Sequence, residues 1–125
     1  MERDLRLRRE RDVRVARARG RSVTHGPYVL RYLRTPASPD ANRYTVVAGK
    51  KVGGAVQRNR LKRVTREALR ALHPRLASGF DCVIILRGTV DELPSTAAAL
   101  DLLTVLFQRA GLLPMEDQAP EASGS

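Results

Sequence analysis

The side chains in this sequence that are best suited to chemistry are the cations between Lys50 and Leu72. At helical spacing they form one row with two polar residues beside it: Arg58, Lys62, Arg66 and Arg70 in the row, with Asn59 and Arg63 alongside. Like charges four residues apart on a helix repel each other by about 0.2–0.5 kcal/mol per pair. Phosphate groups that bind such a row neutralise it and release counterions. The spacing therefore predicts a helix face that binds nucleic acid.

The alternative is a solvated helix surface, which is the usual explanation of a charge run. Solvated surfaces tend to alternate acidic and basic residues so that they can pair. Between Lys50 and Leu72, however, Glu67 is the single acidic residue. This lack of acidic partners favours the nucleic-acid interpretation.

The same segment predicts how the helix is held in its domain. A Gly-Gly turn precedes it, and an apolar stripe at helical spacing would dock it on the core. The predicted members of this stripe are Leu61, Val64, Ala68, Ala71 and Leu72.

Length and composition bound the class of protein. The chain has 125 residues, enough for one domain with a small core. Its 23 Lys and Arg against 13 Asp and Glu give a formal net charge of +10, which steers association with polyanions. The single cysteine, Cys82, excludes a disulfide framework, and its apolar surroundings predict a buried thiol. No apolar run approaches the roughly 18 residues of a membrane span, so we expect a soluble, cytoplasmic protein.

Groups for protein-based catalysis are sparse. His25 and His73 lack acidic neighbours, and the pair Asp91–Glu92 is isolated beside a loop. A protein nuclease normally carries a carboxylate cluster for Mg²⁺ or a pair of histidines. We therefore expect a chain that binds rather than cuts, with no catalytic residue and no metal site of its own.

Periodicity and turn signals predict the elements that position these residues. They are a helix from Glu10 to Arg19 ended by Gly20, extended structure from Ser22 to Arg34, a loop from Thr35 to Asn42, a strand from Arg43 to Ala48, the cationic helix, an apolar strand from Phe80 to Leu86, and a helix from its N-cap Ser95 to Ala110, closed by Gly111. Pro74 is expected to stop the cationic helix and to bias His73 out of the helical conformation. Residues 1–9 are interpreted as a basic arm, 10–113 as one domain and 114–125 as a disordered tail. This order indicates an α+β fold with helices packed on a mixed sheet.

The cationic segment also resembles a known signature. Lys50-Lys51-Val52-Gly53, Ala55-Val56, Arg58-Asn59-Arg60, Lys62-Arg63 and Arg66-Glu67 stand in the order and spacing of the bacterial ribonuclease P protein subunit. The similarity extends more weakly from about residue 7 to residue 113. It implies an αβββαβα sandwich with a mainly antiparallel sheet and a left-handed strand–helix–strand crossover. It further implies that a partner RNA performs the hydrolysis and holds the Mg²⁺, with one protein per RNA and no cofactor on the protein.

The resemblance implies two RNA-binding surfaces. The residues that would contact the catalytic RNA are Lys50, Lys51, Arg58, Asn59, Arg60, Lys62, Arg63 and Arg66. A cleft between the first helix and the sheet would take the single-stranded 5′ leader of precursor tRNA, with Val13, Arg17, Arg31 and Tyr28 as its candidate residues. The family often has aromatic residues in this cleft, whereas Val13, Arg17 and Arg31 occupy the matching positions here. Val13 has an equally good alternative as a core residue.

Two other functions remain open from the sequence. A structural ribosomal or nucleoid protein would be equally small and basic, but it would not affect a cleavage reaction. A stand-alone endonuclease would have to cut RNA without an RNA partner. The ordered Arg-Asn-Arg motif is what favours the ribonuclease P subunit over both.

Overall fold

Helices and strands alternate along the part of the chain that the computed structural model describes, residues 10–35, 42–87 and 95–114. The elements in these ranges are α1 (Glu10–Arg19), β1 (Arg21–His25), β2 (Tyr28–Arg34), β3 (Arg43–Ala48), α2 (Ala55–Leu72), β4 (Phe80–Leu86) and α3 (Thr96–Ala110), with short 3-10 turns at Lys50–Val52 and His73–Arg75. This order confirms the α+β fold and its αβββαβα succession. The predicted arm 1–9, most of the loop 35–42, the pair Asp91–Glu92 and the tail beyond Pro114 lie outside the described residues.

The four described strands form one mixed sheet in the order β1-β2-β4-β3. β2 is antiparallel to β1 and to β4, whereas β3 is parallel to β4, so α2 connects two parallel neighbours. The hand of this crossover stays a prediction. All residues of β4 except Ile85 are buried, which confirms the prediction of an apolar strand covered on both faces.

β1 and β2 form a hairpin that the sequence prediction missed, because it treated residues 22–34 as one extended segment. Gly26 and Pro27 make the turn between His25 and Tyr28. Gly26 has a φ of 57°, which a residue with a Cβ rarely adopts. The Gly-Pro dipeptide was the turn signal that the sequence offered.

Different helices cover the two faces of the sheet. Successive strand residues point to opposite sides, so Tyr28 and Leu30 of β2 pack with α2 and α3. On the other side, Val83 of β4 packs with Ala16 of α1. Cys82 lies on the α2–α3 side with no exposed surface, and burial raises the pKa of its thiol, which confirms the predicted buried thiol.

α3 forms as predicted. The Ser95 hydroxyl accepts a hydrogen bond of 3.1 Å from the Ala98 N–H and caps the helix. Gly111 ends it with a φ of 80°, the left-handed conformation that closes many helices. The predicted apolar face packs on the core, with Leu103, Leu106 and Phe107 buried and Leu100 and Ala110 half-buried.

α2 docks on the sheet through a stripe that differs from the predicted one. Its buried residues are Leu61, Thr65, Ala68, Leu69 and Leu72. The prediction was right for three of them but wrong for Ala71, which is exposed, and Val64 is only half-buried. At about 100° per residue, the centre of the observed stripe lies roughly 50° around the helix from that of the predicted one, on the side that includes Thr65.

Thr65 is buried because its hydroxyl has a partner. It shares a hydrogen bond of 2.7 Å with the hydroxyl of Tyr28, which is fully buried. Burial raises the pKa of Tyr28 from 10.0 to about 12, although the bond to Thr65 acts to lower it. The neutral hydroxyl therefore contributes stability that is complete below its unfolded pKa and is lost as the pH rises through about 12.

The C-terminal end of α2 is held by a second tyrosine. The Tyr44 hydroxyl shares a hydrogen bond of 2.8 Å with His73 Nδ1, and it accepts one of 3.2 Å from Asn42 Nδ2. The prediction that Pro74 biases His73 out of the helical conformation is wrong, since His73 has φ −48° and ψ −45°. Pro74 instead lies in the first turn of a 3-10 helix, where its missing N–H costs nothing.

α1 is tied to the sheet by an ionic bridge. The Arg43 guanidinium donates to both oxygens of Asp81, at 2.9 and 2.8 Å, and lies 3.5 Å from the Asp12 carboxylate of α1. Asp81 is buried, so this bidentate partner is required for its charge. The bridge fixes α1 over the N-terminal ends of β3 and β4, where Arg43 and Asp81 lie.

We expect Thr65→Val to destabilise the domain by roughly 1–3 kcal/mol, because it leaves the buried Tyr28 hydroxyl without a partner. The measurement is the urea unfolding midpoint. The matched control is the double variant Thr65→Val with Tyr28→Phe, which removes both hydroxyls and should recover part of the loss. Equal stability of Thr65→Val and the wild type would contradict a role for this hydrogen bond.

Candidate nucleic-acid interface

Two glycines build the turn that starts α2. Gly53 has a φ of 153°, and a Cβ there would lie 3.1 Å from the Cβ of Gln57. The Gly54 N–H donates a hydrogen bond of 2.7 Å to Gln57 Oε1. These contacts fix the direction in which the helix leaves the turn, and they leave Lys51 exposed beside it.

The polar residues of α2 lie on the side opposite the docking stripe. Asn59, Arg60, Arg63 and Arg70 are exposed, and Lys62 and Arg66 are half-buried. Glu67 is 3.8 Å from Arg70, an exposed pair that contributes little. The structure thus brings the predicted residues of α2 other than Arg58 together on one cationic face. The side chain of Lys50 lies outside what is described.

Arg58 departs from this arrangement. It precedes Leu61 and Thr65 by three and seven residues, which places it at the edge of the docking stripe. Its Nε is buried and has no hydrogen-bond partner among the described residues. A row with a four-residue step drifts by about 40° per step on a helix of 3.6 residues per turn. The predicted row therefore winds from the half-buried Arg58 to the exposed Arg70.

A second cationic surface lies between α1 and the sheet. A cleft of about 560 Å³ is lined by Arg17 of α1, by Lys51 of the turn and by Arg87 just after β4, over Val47 and Ile85. The three cations are exposed, and the two apolar residues of the floor are half-buried. This geometry suits a chain of phosphates at the rim with sugars or bases against the floor.

The structure changes the membership of this predicted cleft. Tyr28 was placed in it wrongly, because Tyr28 is fully buried on the α2–α3 side. Val13 packs against the Ala16–Val83 cluster, which favours its alternative as a core residue. Arg31 is half-buried, its Nε has no partner within the described ranges, and it is not among the residues that line the cleft.

Sequence reasoning missed Arg87 as a cleft residue. The available signal was a cation directly after a buried strand, where a side chain leaves the core for the end of the sheet. Its position is fixed by its own backbone, since the Arg87 N–H donates a hydrogen bond of 2.7 Å to the Pro27 carbonyl. Arg17 therefore lines the same cleft as Lys51 and Arg87, and Arg31 does not line it.

Within residues 10–35, 42–87 and 95–114 there is no group of three His, Cys, Asp or Glu side chains placed to hold a metal ion. His73 is engaged with Tyr44, and Asp81 with Arg43. In the same part of the chain, no helix has both the length and the apolar character that crossing a membrane requires.

Comparison with known proteins identifies the family of this chain. A family model described as ribonuclease P matches residues 1–111. The chain belongs to the ribonuclease P protein family. A ribonuclease P protein component from Chloroflexus aurantiacus is 42% identical over 115 residues, which cover 91% of this chain and 83% of that protein. One from Symbiobacterium thermophilum is 40% identical over 99 residues, covering 79% and 84%.

Solved ribonuclease P proteins share the fold. The protein from Thermotoga maritima has a TM-score of 0.73 at 29% identity, over 83% of this chain and 96% of that one. The protein from Staphylococcus aureus has a TM-score of 0.76 over 88% and 98%; at 23% identity this likeness supports the fold alone. The family predicted from the Arg-Asn-Arg motif is confirmed.

We expect alanine substitutions of Arg63 and Arg58 to separate binding from stability. Arg63 is exposed on the cationic face. In a plot of log affinity for RNA against log salt concentration, Arg63→Ala should reduce the magnitude of the negative slope by about 0.7–0.9. It should not change the urea unfolding midpoint. Arg58→Ala should also lower the midpoint, because part of its side chain is buried. The probe is a bacterial ribonuclease P RNA, and Arg14→Ala on the exposed side of α1 is the control. An unchanged slope for Arg63→Ala would place the interface elsewhere.

Proposed function

We propose that this chain is the protein subunit of a ribonuclease P ribonucleoprotein, which binds the 5′ leader of precursor tRNA and promotes its endonucleolytic removal. The observation that carries the proposal is the presence of two separate cationic surfaces on a ribonuclease P family fold. One is the exposed face of α2, and the other is the cleft between α1 and the sheet. A chain that holds two RNA molecules against each other needs two such surfaces.

The α2 face is the proposed contact with the catalytic RNA. Arg60, Arg63 and Arg66 would bind phosphates there, with Lys50, Lys51, Arg58 and Lys62 completing the set. Asn59 differs from them because its amide has both a donor and an acceptor and no charge. Its proposed role is to hydrogen-bond a base edge or to orient a neighbouring phosphate contact.

The cleft is the proposed contact with the leader. Arg17, Lys51 and Arg87 would bind consecutive phosphates of a single strand, while Val47 and Ile85 pack against sugars or bases. Lys51 lies in the turn before α2 and also lines this cleft, so it joins the two surfaces. The leader would therefore lie next to the catalytic RNA, which is the arrangement that a cleavage at the end of the leader requires.

In this proposal the partner RNA performs the phosphodiester hydrolysis and holds the Mg²⁺. The protein contributes cations between two polyanions that would otherwise repel each other. Neutralising leader phosphates releases counterions and so lowers the amount of Mg²⁺ that assembly needs. The proposed complex contains one protein per RNA, acts in the cytoplasm and takes no protein-bound cofactor.

Cleavage of precursor tRNA at low Mg²⁺ is the direct test. The catalytic RNA with this protein should cut the leader at Mg²⁺ concentrations where the RNA alone is slow, and the protein alone should leave the substrate intact over hours. If the protein binds the RNA tightly but leaves cleavage unchanged, it is a structural nucleic-acid-binding protein instead. Cleavage by the protein alone that tracks with a point substitution in this chain would make it an endonuclease.

Salt dependence tests the leader cleft. Three phosphate contacts predict that the ratio of precursor to mature tRNA affinity falls with a log–log salt slope of about −2. Arg17→Phe replaces one phosphate-binding side chain by a stacking surface, whose contribution depends little on salt, so the slope should flatten and the ratio at high salt should rise. The matched control is Arg14→Phe, one turn earlier on the exposed side of α1. A wild-type ratio that stays constant with salt would remove Arg17 from the leader contact.

A further inference from the structure

A second basic pocket lies at the other end of the sheet and has no part in the function proposed above. It has a volume of about 510 Å³ and is lined by Arg19, Arg21 and Arg34 around Tyr32 and Phe80, with the C-terminal end of α3 as its wall. Phe80 begins β4, whereas the leader cleft lies where β4 ends. At about 3.3 Å per residue, the two sites are about 20 Å apart along this strand. A single nucleotide cannot reach both, so the pocket would hold a different nucleotide from those in the leader cleft.

The three arginines of this pocket have no acidic partner among the described residues. All three are exposed, and within the described ranges none of them forms an ion pair. Asp81, the residue after Phe80 in β4, is already engaged with Arg43. Three guanidinium groups around one concave surface repel one another, and an anion between them would offset this repulsion.

The aromatic floor holds one of these arginines in a fixed position. The guanidinium carbon of Arg34 lies 4.7 Å from the centre of the Phe80 ring. Tyr32 packs edge-on against the same ring, with centroids 6.0 Å apart and an angle of 63° between the rings. The Tyr32 hydroxyl donates to the Ala110 carbonyl and ties this floor to α3. Because Arg34 is exposed, the side of its guanidinium away from Phe80 is open to a ligand.

A structural explanation would be that these arginines neutralise the C-terminal end of α3, where carbonyl groups carry partial negative charge. Other donors already satisfy three of those carbonyls. Gly111 N–H donates to Gln108, Leu112 N–H donates to Phe107, and the Tyr32 hydroxyl donates to Ala110. No hydrogen bond joins the three arginines to α3 among the described residues, so the helix end does not account for them.

We propose that this pocket binds one nucleotide of single-stranded RNA, with a phosphate on Arg19 and Arg21 and a base stacked on the Arg34–Phe80 pair. Guanidinium groups donate paired hydrogen bonds to phosphate, and the planar guanidinium of Arg34 offers a base a stacking surface. This site rests on the proposed role in ribonuclease P for its source of RNA, which is either the catalytic RNA or the precursor tRNA. The chemistry is the same for both sources, and the test separates them.

The test compares two double variants with the same reduction of charge in the assembled ribonucleoprotein. Arg21→Gln with Arg34→Gln alters the pocket, and Arg11→Gln with Arg14→Gln alters exposed residues of α1. One arm measures affinity for the catalytic RNA, and the other measures the ratio of precursor to mature tRNA affinity. We expect the affinity of the pocket variant to fall about tenfold in one arm. The magnitude of its negative slope of log affinity against log salt should decrease by about 0.7 for each phosphate that it no longer binds. The arm that responds identifies the source of the nucleotide.

Arg34→Lys tests the stacking role. It keeps the charge but removes the planar guanidinium, so the salt slope should stay unchanged while affinity falls about fivefold or more. RNA that is abasic at the bound position should abolish this difference. If Arg21→Gln with Arg34→Gln matches the α1 variant in both arms, the pocket does not bind RNA.

A negative result at this pocket is distinguishable from failure of the proposed function. The proposed function fails only if the wild-type protein does not promote leader removal at low Mg²⁺. The pocket variant should still promote cleavage when it is present at saturating concentration.

Discussion

The hydrogen bond between the Tyr28 and Thr65 hydroxyls is the contact on which the placement of the cationic helix α2 depends. α2 carries like charges along one side, and their mutual repulsion does not depend on how the helix is rotated on the sheet. Apolar burial is not directional either. A hydrogen bond of 2.7 Å between two buried groups is directional, and the Tyr44–His73 bond fixes the end of the same helix. Rotation by one residue, about 100°, would break both bonds and bury cations, so the two bonds and the charges together fix which side of α2 is exposed.

α1 is held on the sheet by a different kind of interaction, because it buries little surface there. Ala16 is its single buried residue, and the bridge from Asp12 through Arg43 to Asp81 supplies the remaining attachment. The chain then leaves α1 through Gly20, where a Cβ would clash with the Ala16 carbonyl oxygen and would lie 2.9 Å from that of Tyr32. Any other residue would push α1 away from β2. The width of the cleft lined by Arg17, Lys51 and Arg87 therefore depends on a salt bridge and a glycine that lie outside it.

The sequence predicts local features of this fold better than features that depend on neighbours in space. The bounds of α1, β3 and β4 follow from capping signals and apolar runs, and so does the capped helix α3. The Gly26–Pro27 turn was missed because β-branched residues on both sides of it suggest one continuous strand. Ala71 was misassigned because the pattern of apolar residues does not show that the polar Thr65 is buried. The hydrogen bond from Thr65 to Tyr28 places the buried stripe on the side of Thr65, away from Ala71. Arg17 and Arg87 are 70 positions apart in the sequence, and only the pairing of β4 with β2 and β3 brings the end of β4 beneath α1.

The aromatic content of the chain limits the stacking surfaces that it could offer to a single-stranded nucleic acid. It has no Trp, three Tyr and two Phe. Tyr28, Tyr44, Phe80 and Phe107 are buried, and Tyr32 is half-buried with its hydroxyl engaged by α3. No aromatic ring is therefore exposed as a stacking platform, although such platforms are the common solution for single strands. Planar guanidinium groups are the remaining surface on which a base can stack. With 20 arginines and three lysines among its 23 cations, the chain is rich in the cation whose planar group can stack on a base. In the proposed complex, phosphate contacts of these arginines would release counterions and make the affinity depend strongly on salt.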